Sequence, residues 1–404
     1  MGKCPIVLDR LGKDIHAEAR ALRAQGPVTR VELPGGYFGW SVTDYAVAKK
    51  MLLDPRFPKN AKKYWPPLVN GDVSMDWEMI TWVMMENINT RDGEEHDRLR
   101  KLVSHAFAPR QVEASRPLIE KVIGELLDDL ETTEPGEAVD LKGRFTYALP
   151  AWVICDMFGV PVEARKRMLQ GAVANSKTTI TPEEAEENLR QWHEAMAELV
   201  ATKRAKPGDD LTSLLIQARE EDDALTDDEL LGSLHVLLGA GSETLGNVMA
   251  HAVVDLLSHP DQLDLVTSGK ADWATAFAET VRKDAAVAQL PFRYAAEDVE
   301  IGGVRIEKGD LVLIAFAGVG RDPKVHGETA DAFDILREDK TNLSFGYGPH
   351  ACLGRSLATL QATLALPALF ERFPNMRLAT APEDIPPQGT FIMNGYATLP
   401  VVLH

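Results

Sequence analysis

The stretch FGYGPHACLG, from Phe345 to Gly354, places His350 and Cys352 among three glycines. Such side chains could ligate a metal, form a nucleophilic pair or pack inertly in a core. A structural zinc site is disfavoured because no second Cys or His pair at normal spacing lies nearby. A Cys–His nucleophilic pair would leave the glycines unexplained, whereas burial in a core is the usual fate of a free cysteine.

The surroundings of the decapeptide favour a third kind of chemistry. Gly346, Gly348 and Gly354 allow the backbone to turn tightly and to approach a flat ligand closely. A leucine stripe at helical spacing follows, from Leu353 to Leu364, so Cys352 is expected at a helix N-terminus. There the helix dipole and the free amides stabilise a thiolate. A thiolate held by backbone N–H groups is a suitable axial ligand for haem iron.

A second candidate stretch is GAGSET, residues 239–244. Two glycines in a helix interior cost about 1 kcal/mol each, and Thr244 can bond the carbonyl one turn back, so we expect a local distortion. One interpretation is a close helix crossing mediated by the glycines. The other is a groove beside a bound cofactor, with Glu243 and Thr244 as a proton-relay pair, because an acid in mid-helix needs a partner or a function.

The helix that carries GAGSET is predicted to be long. Thr226 and Glu229 form a capping box, and the helical pattern continues to His259, about 32 residues or roughly 48 Å. Glu243 is the one carboxylate between Leu230 and Val254, which raises the possibility of a membrane span. The helix carries too many other polar side chains for a lipid-facing span, so a buried central helix is the better prediction.

The rest of the chain predicts a mainly helical fold with small sheets. VTRVELPGGYFGWSVT reads as a hairpin, DYAVAKKMLLDP as a helix that stops at Pro55, and residues 96–260 as mostly helix. After Pro291 the pattern changes to strands around Gly302-Gly303 and Lys308-Gly309. Without a repeat or a long linker, residues 1–404 are expected to form a single domain.

Composition excludes several classes of function. With 404 residues and 45% hydrophobic content the chain can bury a large core, and its net charge of −18 argues against a general nucleic-acid binder. Three cysteines, at positions 4, 155 and 352, are too few for a disulfide framework. The N-terminus lacks the apolar core of a signal peptide. We therefore expect a soluble cytoplasmic protein with neither nucleic acid nor membrane as a partner.

Taken together, these motifs resemble those of the bacterial cytochromes P450, the haem-thiolate monooxygenases. The family signature Phe-Gly-x-Gly-x-His-x-Cys-x-Gly is matched in full, at Phe345, Gly346, Gly348, His350, Cys352 and Gly354. Glu243 and Thr244 match the family's acid–alcohol pair. The resemblance covers essentially the whole chain and is nearest to the soluble actinobacterial family 154. It implies a triangular, helix-rich prism with haem between the long central helix and the helix after the cysteine loop.

The resemblance also implies which residues hold the cofactor, haem b. Cys352 is the axial ligand of the iron. The cofactor-binding residues are His96, Arg100, Gly241, Arg293, Phe345, Gly346, Gly348, His350, Cys352 and Gly354. Among these, His96, Arg100, Arg293 and His350 contact the propionates. Glu279, Arg282 and Arg337 are implied to form a buried network that braces the cysteine loop, although Glu and Arg three residues apart are more often a solvated helix pair.

The implied reaction uses O2 as cosubstrate. Glu243 and Thr244 deliver protons, and hydroxylation is the default outcome, with oxidative coupling or desaturation as variants. Electrons come from a ferredoxin and its NAD(P)H-dependent ferredoxin reductase, which dock near the cysteine loop at basic residues such as Lys101, Arg110 and Arg355.

The substrate is expected to be a medium to large apolar natural product, such as a macrolide, polyketide, steroid or cyclic dipeptide, in secondary metabolism. The expected pocket residues are Trp82, Leu237, Leu238, Val287, Gln289, Leu290, Phe391 and Ile392. Two alternatives to the O2-dependent enzyme remain: a peroxide-dependent hydroxylase, which usually lacks the acid–alcohol pair, and a catalytically silent haem-fold scaffold.

Overall fold

The computed structural model describes residues 4–176, 178–179, 181–222 and 225–404, and it is mainly helical with small sheets, as predicted. The helices are α1 (Ile15–Gln25), α2 (Tyr45–Leu53), α3 (Ala61–Tyr64), α4 (Pro66–Val69), α5 (Ile80–Met84), α6 (Gly93–Ser104), α7 (Pro109–Ala114), α8 (Arg116–Glu131), α9 (Ala148–Met157), α10 (Val162–Ser176), α11 (Pro182–Ala205), α12 (Leu211–Asp222), α13 (Asp227–Ser258), α14 (Pro260–Thr267), α15 (Trp273–Lys283), α16 (Phe316–Val319), α17 (Pro323–His326) and α18 (Arg355–Arg372). The strands are β1 (Ile6–Val7), β2 (Val28–Glu32), β3 (Phe38–Val42), β4 (Ala138–Asp140), β5 (Leu290–Tyr294), β6 (Val299–Ile301), β7 (Val304–Ile306), β8 (Leu311–Ile314), β9 (Arg377–Leu378) and β10 (Pro400–Val402).

The long central helix is confirmed as α13, with 32 residues. Its capping box closes as predicted: the Thr226 hydroxyl accepts from the Glu229 N–H at 3.1 Å, and the Glu229 carboxylate accepts from the Thr226 N–H at 2.9 Å. The backbone remains α-helical through residues 239–244, so the expected distortion does not interrupt the helix. The Thr244 hydroxyl does donate to the Ala240 carbonyl one turn back, at 2.9 Å. Most of α13 is buried between α9, α10, α15 and α18.

The largest sheet has five strands, in the order β1-β2-β3-β8-β5. The predicted hairpin is confirmed, because β2 and β3 pair antiparallel from Val28 opposite Val42 to Glu32 opposite Phe38. Strand β8 runs parallel to β3, and β5 closes the edge antiparallel to β8. A separate three-stranded sheet (β4-β10-β9) and the hairpin β6-β7 complete the strands. Strand β5 brings Arg293 towards α13.

The predicted ion-pair network is present: Glu279 and Arg282 lie on α15, and Arg337 joins them from the segment before the cysteine loop. Glu279 accepts from Arg282 Nε at 2.8 Å and Nη2 at 2.7 Å, and from Arg337 Nε at 3.0 Å. Arg282 donates further to the backbone carbonyls of Gly320, Ala330 and Ala332. The side chains of Glu279 and Arg282 are both 0% exposed, so this pair joins α15 to the segment that precedes the cysteine loop.

Among the described residues, no single helix is long and apolar enough to cross a membrane. The segments Lys142–Met157 and Val162–Leu169 reach the required length and hydropathy only together, and they are bent by 120° relative to one another.

Candidate active site

The cysteine loop is a tight turn that leads into α18. The Cys352 N–H donates to the Phe345 carbonyl at 2.8 Å, and the Gly346 N–H donates to the Leu343 carbonyl at 2.7 Å. Gly346 has φ 69° and Gly348 has φ 75°, a conformation that other residues rarely adopt. A Cβ at Gly348 would also lie 2.9 Å from a methyl carbon of Leu53. Both glycines are therefore required by the backbone path of the loop.

Cys352 lies near a helix N-terminus, as the sequence predicts, two residues before Gly354, the N-cap of α18. It is reachable from solvent although protein atoms surround it closely, and this low-polarity environment raises its pKa. The N–H groups of Gly354 and Arg355, at the start of α18, donate to the sulfur and lower the pKa, as does the charge of Arg100. The amides at the helix N-terminus thus lower the pKa of the thiol, but burial raises it by more, and the net pKa lies above the usual value.

Helix α6 lies against the loop and carries two of the predicted propionate partners. Arg100 donates to the carbonyl of Ala351, the residue before Cys352, at 2.8 Å. His96 is 1% exposed, and its ring centroid lies 4.2 Å from that of His350. Within the described residues, His96 Nε2 and His350 Nδ1 have no hydrogen-bond partner. Buried ring nitrogens without partners are costly, so the pair fits a ligand that supplies hydrogen bonds.

Beside these histidines lie two buried cations, Arg293 and Lys59. Arg293 is 7% exposed and donates to a backbone carbonyl, that of Phe57, at 2.7 Å. Burial and, to a smaller extent, the charge of Arg293 lower the pKa of Lys59 to about 7, against the opposing charge of Asp92. Asp92 also accepts from the Lys59 N–H at 2.8 Å and lies 3.6 Å from His350.

This arrangement leaves an excess of positive charge in a buried place. Two cations, Lys59 and Arg293, share the carboxylate of Asp92, whose Oδ2 already accepts from two backbone N–H groups. An anionic ligand with more than one oxygen acceptor would relieve this, and the two propionates of a haem fit that requirement. Sequence reasoning missed Lys59. The one available signal was a lysine in the otherwise weakly charged segment FPKN, and a lysine there is ordinarily a surface residue.

One cavity joins the cysteine loop to α13. Thr244, Glu243, Ala240, Gly239 and Val236 line it from α13, and His350 and Gly346 line it from the loop. The remaining lining residues are Leu52, Lys59, Thr81, Trp82, Met85, Asn87, Asn89, Thr90, Trp192, His235, Val287, Leu290, Pro291, Phe292, Arg293, Phe316 and Met393. The acid–alcohol pair and the cysteine loop therefore face one space, and Trp82, Val287 and Leu290 lie on its wall as predicted.

The other predicted pocket residues do not line this cavity. Leu237 and Leu238 are buried in the main hydrophobic core, and Val236 lies on the cavity wall instead. Successive residues of an α-helix point about 100° apart, so side chains one position along the chain lie on a different face of the helix. Gln289 points the other way, towards the sheet, where its Oε1 accepts from the Ser41 hydroxyl at 2.7 Å.

Phe391 and Ile392 also belong to a core, the one between the sheet and the segment around Trp77. The next residue, Met393, faces the cavity in their place. Alternation along extended backbone explains the difference, because neighbouring side chains point to opposite faces.

Gly241 is placed at a helix crossing and not at the cavity. A Cβ built there would lie 2.8 Å from side-chain carbons of Ile154 on α9. The interpretation as a glycine-mediated close crossing is therefore correct for Gly241. Gly239 and Ala240 line the cavity, and the prediction that a cofactor binds beside them stays a prediction.

Comparison with known proteins agrees with the geometry. A family model described as cytochrome P450 matches residues 274–397. The 2-hydroxy-5-methyl-1-naphthoate 7-hydroxylase of Streptomyces carzinostaticus is 53% identical over 400 residues, covering 99% of this chain and 98% of that protein. The 6-deoxyerythronolide B hydroxylase of Saccharopolyspora erythraea is 38% identical over 401 residues, covering 98% and 97%. The structure of CYP154A1 from Streptomyces coelicolor matches with a TM-score of 0.94 at 42% identity, covering 99% of this chain and 100% of that one.

Proposed function

Since this chain belongs to the cytochrome P450 family, near family 154, and is a monooxygenase acting on apolar natural products, we propose that its substrate is a fused-ring aromatic acid of the naphthoate class. The observation that carries the proposal is the 53% identity, over 99% of the chain, to an enzyme named for hydroxylating such an acid. The reaction is a hydroxylation in secondary metabolism, and residues 1–404 act as one catalytic domain.

The cavity wall supports a flat aromatic substrate. Trp82, Trp192 and Phe292 present aromatic surface, and Met85 and Met393 add flexible apolar contacts. The amide side chains of Asn87 and Asn89 also line the cavity and supply polar groups for a hydroxyl or carboxylate on the ring.

Members of this family bind haem, and the residues present fit haem b. Cys352 supplies the thiolate, and Arg100, Arg293, His96, His350 and Lys59 supply donors for the propionates. When bound, haem activates O2, and thiolate donation favours O–O cleavage. Phe345, Gly346, Gly348 and Gly354 would shape the loop that carries Cys352.

Proton delivery falls to the acid–alcohol pair on α13. Both residues line the cavity, with Glu243 4% exposed. The Thr244 hydroxyl hydrogen is directed to the Ala240 carbonyl at 2.9 Å, so its oxygen lone pairs remain for a water molecule in the cavity. Glu243 accepts a proton from the solvent side and passes it to that water. The presence of this pair argues against a peroxide-dependent enzyme or a silent scaffold.

Electrons are supplied by a ferredoxin and its NAD(P)H-dependent reductase. Lys101, Arg110 and Arg355 are exposed, and α6 and α18, which carry the first and last of them, both contact the cysteine loop. An acidic ferredoxin would meet positive charge there. Reversing these charges should raise the KM for ferredoxin and leave substrate binding unchanged, whereas turnover insensitive to both charge reversal and salt would contradict the assignment.

The substrate proposal is tested by titrating the ferric protein with 2-hydroxy-5-methyl-1-naphthoate and, as a comparison, 6-deoxyerythronolide B. We expect low-to-high spin conversion with the naphthoate at lower concentration, and a product heavier by one oxygen atom that depends on ferredoxin and reductase. A spin shift with the macrolide alone would overturn the substrate class. Equal turnover with peroxide and no redox partner would overturn the O2-dependent reaction.

A further inference from the structure

Glu243 is part of a polar cluster that also contains Gln388, Asn247 and Lys142. Gln388 Nε2 donates to Glu243 Oε1. The Gln388 Oε1 in turn accepts from Asn247 Nδ2 at 2.9 Å and from Lys142 Nζ at 3.4 Å. Because two donors face the oxygen of the Gln388 amide, its orientation is determined, and its NH2 group must point to Glu243.

The cluster brings together three distant parts of the chain. Gln388 lies in the C-terminal turn, residues 387–396, which is closed by a bridge between Pro387 and Tyr396 and by the Gln388 N–H donating to the Gly395 carbonyl at 2.9 Å. The turn packs tightly on α13, since a Cβ at Gly395 would lie 2.4 Å from the side chain of Asn247. Lys142 comes from the π-helical turn, Lys142–Thr146, that precedes α9.

The charges in the cluster are complementary. Lys142 is 9% exposed, and burial lowers its pKa while the carboxylates of Glu243 and Asp140 raise it. Its ammonium also donates to the Tyr396 carbonyl, which holds it beside the turn. Burial, and after it the charge of Glu243, raise the pKa of Tyr147 at the N-cap of α9. A cation and an amide N–H both favour the ionised form of a buried carboxyl.

Glu243 therefore contacts both the cavity and the C-terminal turn. It lines the cavity with Thr244, and it is hydrogen-bonded to a residue of the C-terminal turn. Gln388 is only partly buried, so the turn connects the buried carboxylate with solvent.

We propose that Gln388 and Lys142 are positioning residues for the monooxygenation, which hold the Glu243 carboxylate towards the C-terminal turn, where it takes up a proton from solvent water. The proton binds at a Glu243 carboxylate oxygen and weakens the bond from Gln388. It then passes to the water held by Thr244, which returns Glu243 to its ionised form. This inference rests on the role proposed above for Glu243 and Thr244, but not on the substrate class.

The test compares Gln388→Leu and Lys142→Met with Lys142→Arg, which keeps the cation, and with Glu383→Gln, an exposed change in the same C-terminal region. Each variant is assayed as the haem-loaded enzyme with a ferredoxin, its reductase and whichever compound converts the spin state. For Gln388→Leu and Lys142→Met we expect kcat to fall about tenfold with a larger solvent isotope effect, while the spin-shift Kd is unchanged. Lys142→Arg should recover most of the rate, and Glu383→Gln should match the native enzyme.

A second measurement does not depend on turnover. The infrared band of the Glu243 carboxyl, identified by its loss in Glu243→Gln, should appear at higher pH in Gln388→Leu, because removing a donor from the carboxylate raises its pKa. An unchanged band together with an unchanged solvent isotope effect would overturn the inference. A failure of the naphthoate to bind would overturn only the substrate class, since the network is assayed with any compound that binds.

Discussion

Replacing Glu279 by Gln tests how much the buried pair on α15 contributes to stability. The substitution conserves shape but leaves Arg282, which is 0% exposed, without its counter-charge. Glu279 also accepts from Arg337 Nε and from the Asp334 N–H at 3.2 Å, so one change weakens four hydrogen bonds. Removing one partner of a buried pair costs about 3–5 kcal/mol, a large part of the stability of an ordinary protein.

The control has the same spacing in a different environment. Glu187 and Arg190 on α11 form an ion pair three residues apart, but their side chains are 49% and 54% exposed. Glu187→Gln should therefore leave stability unchanged within error, because solvent screens an exposed pair.

The assay is urea unfolding of the haem-loaded variants, followed by circular dichroism and by the Soret band of the carbon monoxide complex. For Glu279→Gln we expect the folding equilibrium constant to fall by about two to four powers of ten, with early loss of the band typical of thiolate ligation. If Glu279→Gln loses no more stability than Glu187→Gln, the pair is not a structural support and the reasoning fails.

Three further predictions concern the site and its surroundings. Lys59→Met should speed haem transfer to apomyoglobin roughly tenfold, because a charged hydrogen-bond donor is lost. The exposed Lys63→Met should leave the transfer rate unchanged, and equal transfer rates for the two variants would show that Lys59 does not hold the haem. Thr244→Ala should lower product formed per NAD(P)H consumed about tenfold with the spin-shift Kd unchanged; intact coupling would exclude the hydroxyl from proton delivery. Burial lowers the pKa of His251 to about 4. Between about pH 6.5 and 4 the histidine is therefore protonated in the unfolded chain but neutral in the folded chain, so the free energy of unfolding should fall as the pH drops from about 6.5 towards 4. His251→Gln should flatten that dependence in urea midpoints measured against pH, and an unchanged slope would show that other groups account for it.

Local features of the sequence were enough to locate the main elements. The capping box at Thr226 and Glu229 and the stop at His259 determine α13, because caps act within one turn of the helix. The decapeptide predicted a tight backbone turn at its three glycines, and Gly346 and Gly348 adopt the left-handed conformation, whereas Gly354, at φ −82°, does not.

It was harder to predict which face of each helix or extended segment points to the cavity. Leu237 and Leu238 were expected on the cavity wall, but they lie in the core and Val236 lines the cavity. Phe391 and Ile392 were also expected there, but they lie in a core and Met393 lines the cavity. Apolar side chains suit a core and an apolar cavity equally well, so composition does not distinguish the two faces.

By itself, the sequence determined the kind of chemistry: a cysteine at a helix start, an acid–alcohol pair in mid-helix and a mainly helical frame. These depend on contacts between near neighbours in the chain. Only the tertiary structure decided that Lys59 joins Arg293 and His350, and that Gln388 meets Glu243. Those contacts join segments more than a hundred residues apart, and burial, which makes their charges and hydrogen bonds strong, is a property of the packed chain.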